Sequence, residues 1–240
     1  MRNIFRALYA TFYILVGYLA MAVYGLFFTR VYGWLIRDKK RAVYIAAKNW
    51  GSLLLRMSGI KLEVSDPNQL APGRNYIFAS NHASLIDLWI ICAAVPIHFL
   101  YVMDEELFNI PIFGAWCRYA GYLPVSRRHP RRALKQLADI DEKIKAGNSV
   151  VIFPEGGRSH DGNISPFKSG LGRMVNETGV PVIPLAIIGS FTLLPKGSFI
   201  IHPNRVRVNF GKVMEFAAGL RDSDISARVQ RQVETLFNAV

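Results

Sequence analysis

Cysteine is almost absent, with only Cys92 and Cys117 in 240 residues. Two are too few for a disulfide scaffold, and no C-x-x-C spacing offers a metal site. Both lie in apolar runs and read as buried, inert thiols rather than nucleophiles, compatible with a reducing compartment. Charge is scarce too: 19% of residues are charged against 51% hydrophobic, which excludes a disordered, highly solvated chain. Acidic residues are the rarer kind, since 29 Lys and Arg face 17 Asp and Glu for a net charge of +12. Met1 to Ile60 holds nine cations against Asp38 alone, a net +8 that leaves +4 for the other 180 residues. This excess borders an apolar segment instead of lining a polar face, which disfavours nucleic-acid binding despite the pI near 9.9.

The longest stretch without charge is Ala7 to Thr29, 23 residues. As a helix it would reach about 35 Å, enough to cross or enter a bilayer. Arg2 and Arg6 precede it, Arg30, Arg37, Lys39, Lys40 and Arg41 come after it, and Tyr9, Tyr13, Trp34 and Tyr44 stand at interfacial depths. The expectation is a membrane anchor with basic flanks, residues 1–50, followed by a domain over 51–240. A buried core helix and a secretory signal are the alternatives, but "VYGLFF" continues the apolar run where a cleaved signal would give way to a polar start. Gly17, Gly25 and Gly33 permit a break, so a span and a hairpin dipping into one leaflet are both open. The positive-inside bias puts the remainder on the cytoplasmic face of the inner or plasma membrane.

From Ser52 onward short apolar runs alternate with amphipathic ones. "KLEV", "NYIFA", "HFLYVM", "GYLPV", "SVVIF", "PVIPLAII" and "RVRVNF" read as strands. "SLIDLWIICAA", Pro111 to Tyr119, "RALKQLADIDEKIKAG", "GLGRMVNETG" and "DISARVQRQVETLFNA" read as helices, the third with an apolar face at Leu134, Leu137, Ile140 and Ile144. Repeated β-α units predict an α/β fold with a mostly parallel central sheet flanked by helices, and ligand sites at the C-terminal ends of the strands.

His82 falls just after one such end, in "FASNHASLIDLW", with Asp87 five residues on. In one straight helix that separation would turn the two side chains about 140° apart, so contact requires His82 in the loop before the helix. An aspartate on one ring nitrogen leaves the other as an acceptor, a general base at neutral pH. His82 as a simple turn cap is the bland alternative. "VVIFPEGGRSHDG" supplies a second strand end, with Glu155, Gly156 and Arg158, and "GYLPVSRR" a third with Arg127. The Arg158 fork suits a phosphate or a carboxylate, and Arg127, at what reads as a neighbouring strand end, could grip the same group.

Taken together, the motifs resemble those of the glycerolipid acyltransferases, specifically the 1-acyl-sn-glycerol-3-phosphate acyltransferases, over about Gly51 to Phe210. Asn81, His82 and Asp87 match N-H-x-x-x-x-D; Phe153, Pro154, Glu155, Gly156, Arg158 and Ser159 match F-P-E-G-T-R-S. Val180 to Pro184 match V-P-[IV]-[IV]-P, Gly121 and Arg127 the middle motif, and Pro166, Phe167, Lys168 and Gly170 the P-F-K-x-G turn. Gly157 replaces a threonine, and Asp104 and Glu105 stand where the family usually has lysines, a charge reversal bearing on the acceptor more than on the reaction.

The resemblance implies acyl transfer from a thioester, acyl-CoA or acyl-carrier protein, to the free hydroxyl of a 1-acyl-glycerol-3-phosphate in the bilayer. His82 would act as base, oriented by Asp87, while Arg127, Arg158 and Lys168 bind the acceptor and Glu155 and Gly156 shape its pocket. No metal or nucleotide cofactor is expected. An acyltransferase for another lysophospholipid or a lyso-aminolipid, and a non-catalytic lipid-binding membrane protein, remain as alternatives; the second gives no reason for the His–Asp pair.

Overall fold

The computed structural model describes residues 12, 16–17, 19–65, 70–194 and 200–239. Seven strands form one sheet in the order β1-β7-β6-β2-β5-β3-β4. They are β1 (Lys61–Val64), β2 (Ile77–Ser80), β3 (Phe99–Asp104), β4 (Leu123–Val125), β5 (Ser149–Ile152), β6 (Val182–Ile188) and β7 (Arg205–Phe210). Strands β2 to β6 run parallel; β7 is antiparallel to β6 and carries β1 beside it. The central strands explain why the sequence reads as continuous apolar runs rather than alternating ones. Every residue of β2 is buried, as are the first six of β6, because helices cover both faces of a parallel sheet.

On one face lie α2 (Lys39–Met57), α3 (Asp87–Ala94) and α4 (Phe113–Ala120), packed through Val43, Ala46, Ile90, Ile91 and Trp116 on Phe78, Tyr101 and Ile183. On the other lie α5 (Pro130–Lys145), α6 (Gly170–Thr178) and the C-terminal α8 (Asp222–Asn238), which bury Ile140, Ile144, Met174 and Val229 against Ile77, Val150 and Val182. A short α7 (Ser190–Leu193) comes after β6, and a 3₁₀ helix, Glu105–Asn109, after β3. Each fully buried aliphatic side chain here contributes about 1.5–3 kcal/mol of transfer free energy, so the two apolar layers hold the strand ends in place. The apolar face expected on α5 is only partly used. Ile140 and Ile144 are buried and Leu137 is partly so, but Leu134 is 59% exposed, since the helix enters the core only in its second half.

The N-terminal run departs from a single anchor. Residues 1–11, 13–15 and 18, part of the expected anchor, lie outside the described residues. A π-helical stretch, Met21–Phe28, is continued by α1 (Thr29–Ile36), which ends at Arg37 in left-handed conformation before α2 turns back. Among the described residues no helix is long and apolar enough to cross a membrane. Part of the run is engaged with the protein: Met21 is buried, and a Cβ on Gly25 would stand 2.7 Å from the Trp116 ring. The 50/51 boundary falls inside α2, a helix that is bound to both parts.

Helix α3 owes its position to one close approach. A Cβ on Gly51 would lie 2.6 Å from the Trp89 carbonyl oxygen, so only glycine lets α2 rest on α3. Gly51→Ala should therefore cost about 1–3 kcal/mol by overpacking, read from the denaturant midpoint. Gly170→Ala, with nothing within 4 Å and no positive φ, is the control and should leave the midpoint nearly unchanged.

Candidate active site

The loop after β2 and the first turn of α3 form a compact polar unit. Asp87 is the first residue of α3, and its Oδ2 accepts from His82 Nδ1 at 2.8 Å, the Ala83 amide at 2.7 Å and the Ser84 amide at 2.8 Å. A carboxylate only accepts, so the ring proton sits on Nδ1 and Nε2 carries the lone pair. Asp87 is fully buried and His82 nearly so, which fixes the imidazole against rotation. His82 also stacks on Phe153, ring centroids 4.1 Å apart and planes 18° from parallel. His82 therefore lies in the loop, as the five-residue spacing demands.

The loop after β5 is tied to the same histidine through its backbone. Glu155 Oε1 accepts the His82 amide at 2.6 Å and Oε2 the Ser165 amide at 2.7 Å, while the His82 carbonyl accepts from the Ser159 amide at 2.7 Å. Burial raises the Glu155 pKa despite those two donors. A third loop joins through Asn81, whose side chain bridges both backbone groups of Ile187 in β6, at 2.7 and 2.9 Å, and through Ser84 Oγ, which donates to Leu194 O. Asn81, Phe153, Ser84 and Ser159 were legible only as motif or filler residues; their partners are distant in sequence.

Two cations stand beside this unit. Gly156 has φ +72°, and a Cβ there would meet Lys168 Nζ at 2.5 Å, so the glycine makes room for the ammonium. Arg158 lies two residues further, half-buried, and among the described residues no ion pair engages Arg158 or Lys168. Arg127 differs. The strand ends carrying Arg158 and Arg127 are not neighbours, because β3 lies between β5 and β4, an offset of about 10 Å at normal strand spacing. Its guanidinium pairs with Asp104 at 3.1 Å, so the fork expected beside Arg158 stands on a non-adjacent strand and is engaged by a carboxylate.

The remaining candidates are quiet. Burial pushes both Cys92 and Cys117 up to about 12, which leaves them protonated thiols. His98 is lowered to about 4 by burial and then by Lys40 nearby.

A fold with a helix-covered parallel sheet and a His–Asp pair at its strand ends defines a class, and the family comparison agrees: residues 61–188 match the family described as Acyltransferase. The chain belongs to the acyltransferase family. It is 30% identical over 174 residues to the chloroplastic 1-acyl-sn-glycerol-3-phosphate acyltransferase BAT2 of Brassica napus, covering 72% of this chain and 50% of that protein. It is 27% identical over 188 residues to the alpha 1-acyl-sn-glycerol-3-phosphate acyltransferase of Ovis aries, 76% of this chain and 64% of that one. The chain spans about half the length of the plant relatives it matches. The crystal structure of the 1-acyl-sn-glycerophosphate acyltransferase PlsC from Thermotoga maritima superposes with a TM-score of 0.84 at 26% identity, over 100% of this chain and 99% of that one.

Glu155→Gln keeps the shape of the tie but sets an NH₂ against the amide of either His82 or Ser165. A lost buried hydrogen bond of this kind costs about 1–3 kcal/mol, so the variant should unfold at lower denaturant. The His82 ring should also lose order, seen as broadening of its imidazole NMR signals.

Proposed function

We propose that the chain transfers a fatty acyl group from an acyl thioester to the free hydroxyl of 1-acyl-glycerol-3-phosphate, yielding phosphatidate. The 2.8 Å contact between His82 Nδ1 and Asp87 Oδ2 carries this reading. With Nδ1 donating, Nε2 takes the hydroxyl proton as the alkoxide oxygen attacks the thioester carbonyl. Collapse of the tetrahedral intermediate expels the thiolate, which recovers the proton from the imidazolium. Asp87 holds the tautomer and stabilises the transient positive ring. A thioester is already activated and a hydroxyl is not, so assistance with the proton is what the reaction needs. No acyl-enzyme is involved, in keeping with cysteines that stay protonated.

Arg158 and Lys168, free of carboxylate partners among the described residues, are the groups we assign to the acceptor's phosphate. Glu155 and Gly156 hold the loop that presents them. The N-terminal segment supplies the route to a lipid acceptor. Leu19, Phe27 (69% exposed), Trp34 (78%) and Leu35 present apolar surface along a helical run that ends at the exposed cations Arg37, Lys39 and Arg41. Apolar side chains flanked by cations suit a helical hairpin seated in one leaflet of an anionic membrane. One observation favours a second reading of the acceptor. Asp104 pairs with Arg127 at 3.1 Å and Glu105 with Arg132 at 3.0 Å, which leaves less net positive charge at that rim and suits a headgroup larger than bare phosphate.

His82→Ala should abolish turnover, and Asp87→Asn should lower kcat by about 10²–10⁴-fold, both measured by release of free thiol with the fold checked by circular dichroism. The amide oxygen can stand where Oδ2 does and keep all three donors, so what the variant loses is the negative charge that stabilises the transient imidazolium. Wild-type turnover by His82→Ala would refute the mechanism, as would an acyl-protein adduct that disappears in a Cys92→Ala, Cys117→Ala double variant.

Arg158→Ala should raise the acceptor KM by about 30-fold or more, the equivalent of losing 2 kcal/mol or more of charge-assisted contact. Arg127→Ala should change it far less, since Arg127 is already paired. If the thioester KM rises instead, Arg158 serves the donor's phosphates.

A further inference from the structure

A second cationic surface, at the start of α5, includes residues to which the acyl-transfer chemistry gives no role. Arg127, Arg128, Arg131, Arg132 and Lys135 fall within nine residues at the junction of β4 and α5, together with His129. Three are paired, Arg127 with Asp104, Arg132 with Glu105 at 3.0 Å and Arg128 with Glu106 at 3.1 Å, all acids at or just past the end of β3. Arg131 and Lys135 are exposed, and among the described residues no ion pair engages either. They stand four apart on one face of α5, with the 59% exposed Leu134 between them. Arg128 and Glu106 are 77% and 55% exposed, and so open a pair is weak enough for Arg128 to exchange its partner.

The placement of this patch matters as much as its charge. Helix α5 starts where β4 ends, on the edge of the sheet that also carries the His82 and Arg158 loops. Its Ile140 and Ile144 pack on the face opposite the one covered by α2, α3, α4 and the apolar N-terminal segment. A lipid acceptor reaching the site from the N-terminal side leaves the α5 side to water, from which a soluble thioester must arrive. β4 stands three strands from β2, about 14 Å, a distance for a flexible prosthetic arm rather than a direct contact.

We propose that Arg131, Leu134 and Lys135, with Arg128, form the docking surface for an acidic protein carrier of the acyl thioester. The inference rests on the acyltransferase reading and names its donor. Coenzyme A, a small polyanion, calls for cations converging on one point. Here two cations flank an apolar side chain on a convex helix face, which fits a second helix bearing acids around an apolar position. A bilayer surface is the lesser fit, because this helix lies on the sheet face away from the apolar N-terminal segment.

The test compares the full-length protein with an Arg131→Glu, Lys135→Glu variant and a Leu134→Ser variant, using acyl-carrier protein and acyl-CoA of the same chain length. The charge-reversed variant should raise the KM for the carrier-protein donor by about tenfold or more, leaving kcat and both acyl-CoA constants within about twofold. Wild-type KM for the carrier should climb with salt and the variant's should not. An equal rise with both donors, or no change with either, overturns the proposal. So does weaker binding to phosphatidylglycerol vesicles with donor constants unchanged, which would make the patch a membrane contact. Absence of wild-type turnover with every lysolipid and both donors would count against the acyltransferase reading alone. Docking is then judged by anisotropy of labelled acyl-carrier protein, which must bind wild type more tightly than the variant.

Discussion

One carboxylate oxygen organises the site. Asp87 Oδ2 accepts three donors, the His82 ring and the next two backbone amides, and does so from the first residue of a helix, where a negative charge is itself favoured. Burying a charge without such partners would be prohibitive; with them, each hydrogen bond to the ionised group contributes about 1.5–3 kcal/mol. The same contacts that hold the anion in an apolar helix start also determine the loop path and the histidine tautomer. Local structure and chemical competence are thus a single arrangement, and neither can be altered alone.

Around that anion the sheet topology does the rest. β2 lies between β5 and β6, so the loops leaving all three converge, and Glu155, Ser159, Asn81 and Ser84 lock them together through backbone groups. These ties run between side chains and main chain or along the main chain itself, which fixes position without occupying the imidazole. Arg158 and Lys168, which no ion pair engages among the described residues, stand on the loop that Glu155 anchors. The sheet also divides the molecule into two faces with different company. Apolar, cation-flanked helices stand on one side and the basic start of α5 on the other.

Much of this was legible in the chain itself. Continuous apolar runs announced buried parallel strands, since burial on both faces removes the need for alternation; only their ends shifted by a residue or two. Helix geometry set the condition for a His82–Asp87 contact, that His82 lie in the loop, and the structure meets it. The inertness of Cys92 and Cys117 could be read from their apolar neighbours. These are short-range matters, where covalent geometry and side-chain periodicity suffice.

What the chain could not reveal by itself was strand order and everything that depends on it. Whether Arg127 meets Arg158 turns on β3 lying between β4 and β5, and that choice is made by packing of whole layers, not by either arginine. Its partner Asp104 belongs to the intervening strand. Glu155 reads as a pocket residue in its motif, but its partner, the His82 amide, is 73 positions away. The apolar N-terminal run likewise reads equally as a span or as a hairpin, and only the fold brings Gly25 against Trp116 and ends the helix at Arg37. Sequence determined which residues are chemically able and how they lie within a few positions. Tertiary structure decided which of them meet, because hydrophobic burial is non-directional and only the closed, close-packed fold selects one pairing among many.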